Sequence, residues 1–241
     1  RDIGVPGAHD WSSAVAADVN GNFLITGQTD GYLFTPATGV GHDIWVAKLE
    51  GRHGDVLWGY QASRCPSIPV GSAGHDVAST LAVDPTSGDV IVCGSTTGDL
   101  YEEPGFVYTV GGDVEPEGLG EKGTQPFCVK LAAADGHVVW GSRLRGGGND
   151  GLLAAAVDPQ TGDVFAAGYA GQPGMRGSNF VALRLNGRDG SELWRSSGGG
   201  GWTDPYNEDG YVQDSACAVA VDGRGNVVIA GNTEGALFDN T

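Results

Sequence analysis

One pattern recurs four times along the chain and limits what the chain can fold into. Asp10–Gly27 (DWSSAVAADVNGNFLITG), Asp76–Gly94 (DVASTLAVDPTSGDVIVCG), Asp150–Gly168 (DGLLAAAVDPQTGDVFAAG) and Asp214–Gly231 (DSACAVAVDGRGNVVIAG) share one layout. Each is an Ala/Val-rich run, an aspartate, a short turn, a second apolar run and a closing glycine. The runs have the length of strands, not of helices. The turns read VNGN, PTSGD, PQTGD and GRGN. Gly21, Gly88, Gly162 and Gly225 supply the residue that takes positive φ, and Pro85 and Pro159 preset φ for a type I turn. Asp18, Asp84, Asp158 and Asp222 are placed to accept hydrogen bonds from turn amides. Asp18-x-Asn20-x-Asn22 has a faint likeness to a calcium-ligand series, but the other copies do not keep that spacing. Each unit therefore reads as a hairpin.

Two further strands follow each of the first three hairpins. The third reads Asp43-Ile-Trp-Val-Ala-Lys-Leu49, Pro126-Phe-Cys-Val-Lys-Leu131 and Asn179-Phe-Val-Ala-Leu-Arg-Leu185. Its recurring cation (Lys48, Lys130, Arg184) is expected to form a salt bridge at the sheet rim. The fourth strand ends in Trp58, Trp140 and Trp194 after a glycine-containing turn. A tryptophan at one fixed place in a repeat is expected to anchor packing between sheets. Apolar residues on both faces, such as Leu81-Ala82-Val83 and Val90-Ile91-Val92, predict sheets covered on both sides. The abundant alanines predict close sheet-to-sheet contact.

Self-similar units of four strands are the mark of a β-propeller. The fold class is therefore all-β, a β-propeller of four-stranded antiparallel blades. The blades fall at about 9–61, 75–145, 149–197 and 213–241, the last partial, which makes about three and a half in one domain spanning 1–241. That number cannot close a ring, so further sequence or another chain is expected to supply the rest. Arg1 in place of Met fits a processed product or a piece of something longer. Glycine, 43 of 241 residues, exceeds twice its usual share of about 7%. It has no triplet period, which excludes collagen.

The formal net charge is −17, which argues against nucleic-acid binding because phosphates would go unneutralised. No apolar run reaches membrane-span length. Of the four cysteines, Cys93, Cys128 and Cys217 lie in strand-like runs, where cysteine usually acts as a small buried apolar residue. Cys93 and Cys128 fall on expected neighbouring strands, so a bridge between them is open. Cys65 lies outside such runs, and C-x-x-C metal spacing is absent.

The phrases D-x-A-x-x-V-A-V-D-x-x-G-x-V-x-V-x-G, G-x-T-x-G-x-L-F (Gly27–Phe34, Gly94–Tyr101, Gly231–Phe238), D-x-F-V-A-K-L and G-x-x-L-W resemble the SBBP family of seven-bladed β-propeller repeats. The G-x-x-L-W strand is also similar to quinoprotein-type propeller repeats, which would imply adjacent cysteines and a calcium–quinone site; this sequence has no Cys-Cys pair. The SBBP resemblance implies an extracellular or cell-surface protein and no catalytic residues in the repeat itself.

Two long connections stand out. The one at 98–126 is rich in Asp and Glu, and its Tyr101, Phe106 and Tyr108 are expected to pack down in part. The one at 196–213 sets Trp202, Asp204, Tyr206 and Tyr211 in a glycine-rich loop. Aromatics on a rigid scaffold can stack on sugars or grip a protein, so these four residues are the candidate binding site. His9-Asp10 and His75-Asp76 recur at one repeat position and are expected to fix a turn; His42-Asp43 precedes the third strand. No catalytic residue, metal ligand set or cofactor is assigned. The expected function is a non-catalytic extracellular scaffold or adhesion module that binds a protein partner or copies of itself. The alternatives are a carbohydrate-binding module and, behind it, a quinoprotein-like enzyme in the central funnel, against which the Ala/Val-rich inner strands argue.

Overall fold

The computed structural model describes residues 4, 6–34, 41–62, 74–97, 106–108, 123–144, 148–171, 177–199 and 213–234. Among them there are strands and turns and no helix. The first blade is β1 (Asp10–Ala17), β2 (Phe23–Thr29), β3 (Asp43–Leu49) and β4 (Val56–Gln61), paired in sequence order and antiparallel. The second has β5 (Asp76–Val83), β6 (Val90–Thr96), β8 (Gln125–Leu131) and β9 (Val138–Arg143). A short strand not expected from the sequence, β7 (Phe106–Tyr108), adds to its outer edge parallel to β9. The third blade is β10 (Asp150–Val157), β11 (Val164–Gly171), β12 (Ser178–Leu185) and β13 (Glu192–Gly198). The last hairpin is β14 (Ser215–Val221) and β15 (Val227–Asn232).

The turn chemistry that the sequence prescribes is what closes the hairpins. Asp18 accepts from the amides of Asn20 and Asn22, both at 2.9 Å. Asp84 accepts from Thr86, Asp158 from Gln160 and Asp222 from Arg224 and Asn226. Gly21, Gly88, Gly162 and Gly225 all take positive φ. Each first strand also carries a β-bulge three residues after the unit's opening aspartate: Ser13, Ser79, Leu153 and Cys217 have no opposite partner. A second bulge recurs on the fourth strand at Leu57, Val139 and Leu193. The unpaired residue is turned out of the ladder, which is why these three apolar side chains are exposed in every blade.

The core lies between blades. Leu24, Ile44, Val46 and Trp58 of the first blade pack against Ala78, Leu81, Val90, Val92, Phe127, Val129 and Leu131 of the second. Ile91, Cys93, Cys128 and Trp140 repeat this arrangement against Leu152, Val164, Ala166, Val181, Leu183 and Leu185 of the third. Each inner strand sits on its predecessor, β5 on β1, β10 on β5 and β14 on β10.

The pairing left open between Cys93 and Cys128 is made: they face each other across β6 and β8 and form a disulfide. One expectation about cysteine is corrected. Cys217 is exposed, because it stands on a bulge in the hairpin whose rear no described blade covers. The bridge joins residues 35 apart, a loop worth roughly 4 kcal/mol on chain-entropy grounds. Reduction, or Cys93→Ala with Cys128→Ala, is expected to lower the urea midpoint and to steepen the slope, because the unfolded chain freed of the cross-link is less compact. Non-reducing peptide maps should link the two strands and leave Cys217 open to alkylation.

Candidate functional site

The same three residues do the same work at both interfaces. Lys48 Nζ and Trp58 Nε1 each donate to the carbonyl oxygen of Ala133 in the next blade, both at 3.1 Å. Lys130 Nζ and Trp140 Nε1 donate to the carbonyl of Gly187 at 3.2 and 3.1 Å. Each carbonyl sits in the turn between third and fourth strands, and the indole lies on the positive-φ glycine of that turn. A Cβ on Gly136 would fall 2.6 Å from Trp58, and one on Gly190 would fall 2.6 Å from Trp140. The cations are paired as expected, each with an aspartate of its own blade, but the two lysines are buried and not at an exposed rim. Lys48 meets Asp18 at 3.0 Å, and Lys130 meets Asp84 at 3.2 Å and Asp89 at 3.4 Å, with both lysines buried. Arg184 forms the third pair, with Asp163 at 2.6 Å.

The two ends of the array show the clamp half made. Trp58 and Trp140 are 8% and 1% exposed, whereas Trp194 is 37% exposed. At the other end, Gly54 has φ +73° like its counterparts, yet no described atom lies within 4 Å of its Cβ direction. The forward face of the first blade is open too. Val15 is 65% exposed where its counterpart Leu81 is 8%, and Phe23 is exposed where Val90 is fully buried.

At the end of the sheets where the first strands begin, a third link joins neighbours. The amides of Asp76, Asp150 and Asp214 donate to the carbonyls of His42, Thr124 and Ser178. The side chains there differ: Thr124 with Asn149, Ser178 with Gln213, and His42 with His75. The backbone amides of His75 and His9 donate to Thr97 Oγ1 and Asp30 Oδ1; the His9 ring also meets Asp30, whereas the His75 ring meets His42. An open cleft of about 390 Å³ lies at the last of these links, lined by Asn149, Leu153, Tyr169, Ser178, Gln213 and Ser215. Trp202, Asp204, Tyr206 and Tyr211 lie outside the described residues, as does Cys65; their connection rejoins the described chain at Gln213. Among the described residues, no group of three or more His, Cys, Asp or Glu side chains is placed to hold a metal ion.

Residues 2–35 match the family model for the SBBP beta-propeller repeat. The stretch through the first hairpin is thus similar to an SBBP β-propeller repeat. The later units keep its turn aspartate, its bulge and its closing glycine in the same register. A search of curated proteins returns no match. The shared carbonyl had escaped the sequence because a backbone acceptor leaves no side-chain signature. The glycine that follows each cation at constant spacing (Gly54, Gly136, Gly190) was the available sign.

Gly190→Ala and Gly54→Ala separate the clamp from the turn. Both pay about 1 kcal/mol or more for positive φ, but only Gly190→Ala also drives a methyl into Trp140. Gly190→Ala is expected to cost about 1–3 kcal/mol beyond Gly54→Ala, read from denaturant unfolding. Burial pushes the Asp18 carboxyl up, but hydrogen bonds from Asn22, Lys48 and Asn20 outweigh it and bring it from 3.8 down to about 2. Since the folded value is the lower one, Asp18 supplies stability that is fully present above pH 3.8 and lost as pH falls through about 2. Stability measured from pH 5 to pH 2 should fall less steeply in Asp18→Asn than in wild type.

Proposed function

We propose that this chain is a non-catalytic extracellular scaffold that holds proteins together, including copies of itself, through uncovered blade faces. The observation that carries the reading is the half-made clamp at each end. Trp194 stands ready as a donor, Gly54 offers the seat such an indole takes elsewhere, and Val15 and Phe23 present the apolar surface that buried counterparts use. Apolar faces of this kind mark association sites. Among the described residues β15 pairs only with β14, so its outer edge offers main-chain groups to an added strand. The Cys93–Cys128 bridge supports an oxidising, extracellular setting. The match of residues 2–35 to a β-propeller repeat supports a protein-interaction scaffold.

One observation favours carbohydrate binding as a second reading. The cleft beside Tyr169 and Gln213 is open and mixes polar with apolar lining, and Gln213 is where the connection that carries Trp202 and Tyr206 in sequence rejoins the described chain. A glycan array repeated with Trp202→Ala separates this reading from the first.

Light scattering on size-fractionated protein over a range of concentrations tests self-association. Wild type is expected to form concentration-dependent assemblies, and Val15→Glu with Phe23→Glu to shift them toward monomer at least tenfold in apparent affinity. A particle that stays monomeric at every concentration removes self-assembly from the reading.

A further inference from the structure

The link between the first two blades differs in chemistry from the other two. His42 and His75 bring their Nδ1 atoms to 3.0 Å, with ring centroids 4.8 Å apart. The backbone holds both residues. They form a parallel bridge; the His42 carbonyl accepts from Asp76, and the His75 carbonyl accepts from Thr97 at 3.1 Å. The His75 amide donates to Thr97 Oγ1 at 2.7 Å. Little conformational freedom remains to be lost on binding an ion.

We infer that His42 and His75 form a chelating site for a divalent transition-metal ion that fastens the first blade to the second. Two imidazole nitrogens bound to one ion at about 2.0–2.1 Å lie roughly 2.9–3.4 Å apart, for ligand angles between a right angle and the tetrahedral value. The observed separation falls in that range before any ion is present. Neutral imidazole suits zinc, nickel and copper, and both rings are accessible enough for water to complete the coordination. The pair also sits in a favourable field. The chain carries a net charge of −17, and Asp30 lies close by, bonded to His9 at 2.9 Å. Trp11 sets its edge 5.0 Å from the His42 ring and stacks on His9 at 5.7 Å, so it provides a built-in reporter. The 3.0 Å separation is that of a hydrogen bond in which one Nδ1 donates to the other; the ion takes the place of that proton once both rings carry their hydrogen on Nε2. This site does not depend on the scaffold reading, because it joins two blades of one chain.

The test uses the full chain with zinc chloride in calorimetry and nickel chloride in Trp fluorescence. Wild type should bind one zinc ion per chain with a rise in melting temperature, and nickel should quench a saturable part of the emission that Trp11→Phe removes. The variant H42T/H75N installs the Thr–Asn pair that the chain itself uses between its second and third blades, so it keeps a joint that this fold accommodates. It should weaken zinc binding at least tenfold, while His9→Asn leaves it unchanged. Absence of zinc binding in wild type overturns the site. Equal binding by H42T/H75N, with a melting temperature near wild type without metal, overturns it as well. Equal loss in His9→Asn removes the assignment to this pair.

Discussion

A carbonyl that accepts from a lysine and a tryptophan at once is the contact on which the blade array depends. Ala133 receives Lys48 and Trp58, and Gly187 receives Lys130 and Trp140. Two donors on one oxygen fix both the distance and the rotation of the next blade, which apolar packing alone would leave loose. The donors are costly to strand. A buried ammonium without its partners costs several kcal/mol, and a buried indole N–H without an acceptor costs about 1–3 kcal/mol. Apolar burial brings the blades together, and these polar terms select one arrangement among the many that would bury similar area.

Using the backbone as acceptor has a consequence for how the repeat can vary. The residue at that place is Gly51, Ala133 or Gly187, and it takes part through its backbone. At Gly51 and Gly187 a Cβ would collide with the carbonyl oxygens of Gly21 and Gly162, so those two positions are restricted as well. The glycine that follows is fixed for another reason, since it carries positive φ and lies under an indole ring at Gly136 and Gly190. Stability is then distributed along the array as a sum over neighbouring pairs. The second blade, covered on both faces, contains the most completely buried strand, β6, and also the disulfide. The terminal faces carry the exposed apolar residues.

Local features were legible in the sequence because their causes are local. The turn aspartates, the positive-φ glycines, the four-strand unit and the anchoring role of Trp58 and Trp140 each follow from a spacing repeated within one unit. What was not legible depends on neighbours. Whether Lys48 is at a rim or buried is decided by a turn in the following blade. Cys217 reads like Cys93 in an apolar run, yet it is exposed because it falls on a bulge in a hairpin that no described blade covers from behind. Phe106–Tyr108 makes too short a strand to signal itself, and its pairing with β9 is a tertiary event. His42 and His75 meet only because the start of one blade's third strand lies beside the start of the next blade's first. The aromatic connection at 196–213 was conspicuous in composition, and its Trp202, Asp204, Tyr206 and Tyr211 fall outside the described residues.

The asymmetry of the clamp limits the associations that such a surface can support. One face gives a cation and an indole; the other gives a carbonyl above a bare glycine. Two identical faces therefore cannot satisfy each other, and a two-fold contact through this device is excluded. Contacts that reuse it are head-to-tail, and such contacts close into a ring or run on as a filament according to the rotation between successive units. That rotation is set within each blade pair by the shared carbonyl and by how closely the alanine-rich inner strands approach. Small residues at Ala16, Ala78 and Ala82 let those inner strands come close, while Trp58 and Trp140 hold the outer strands apart. Such a wedge, narrow at its inner edge and wide at its outer edge, turns the array from one blade to the next. The repeat that buries the core is thus the same element that sets the curvature of any assembly built from it.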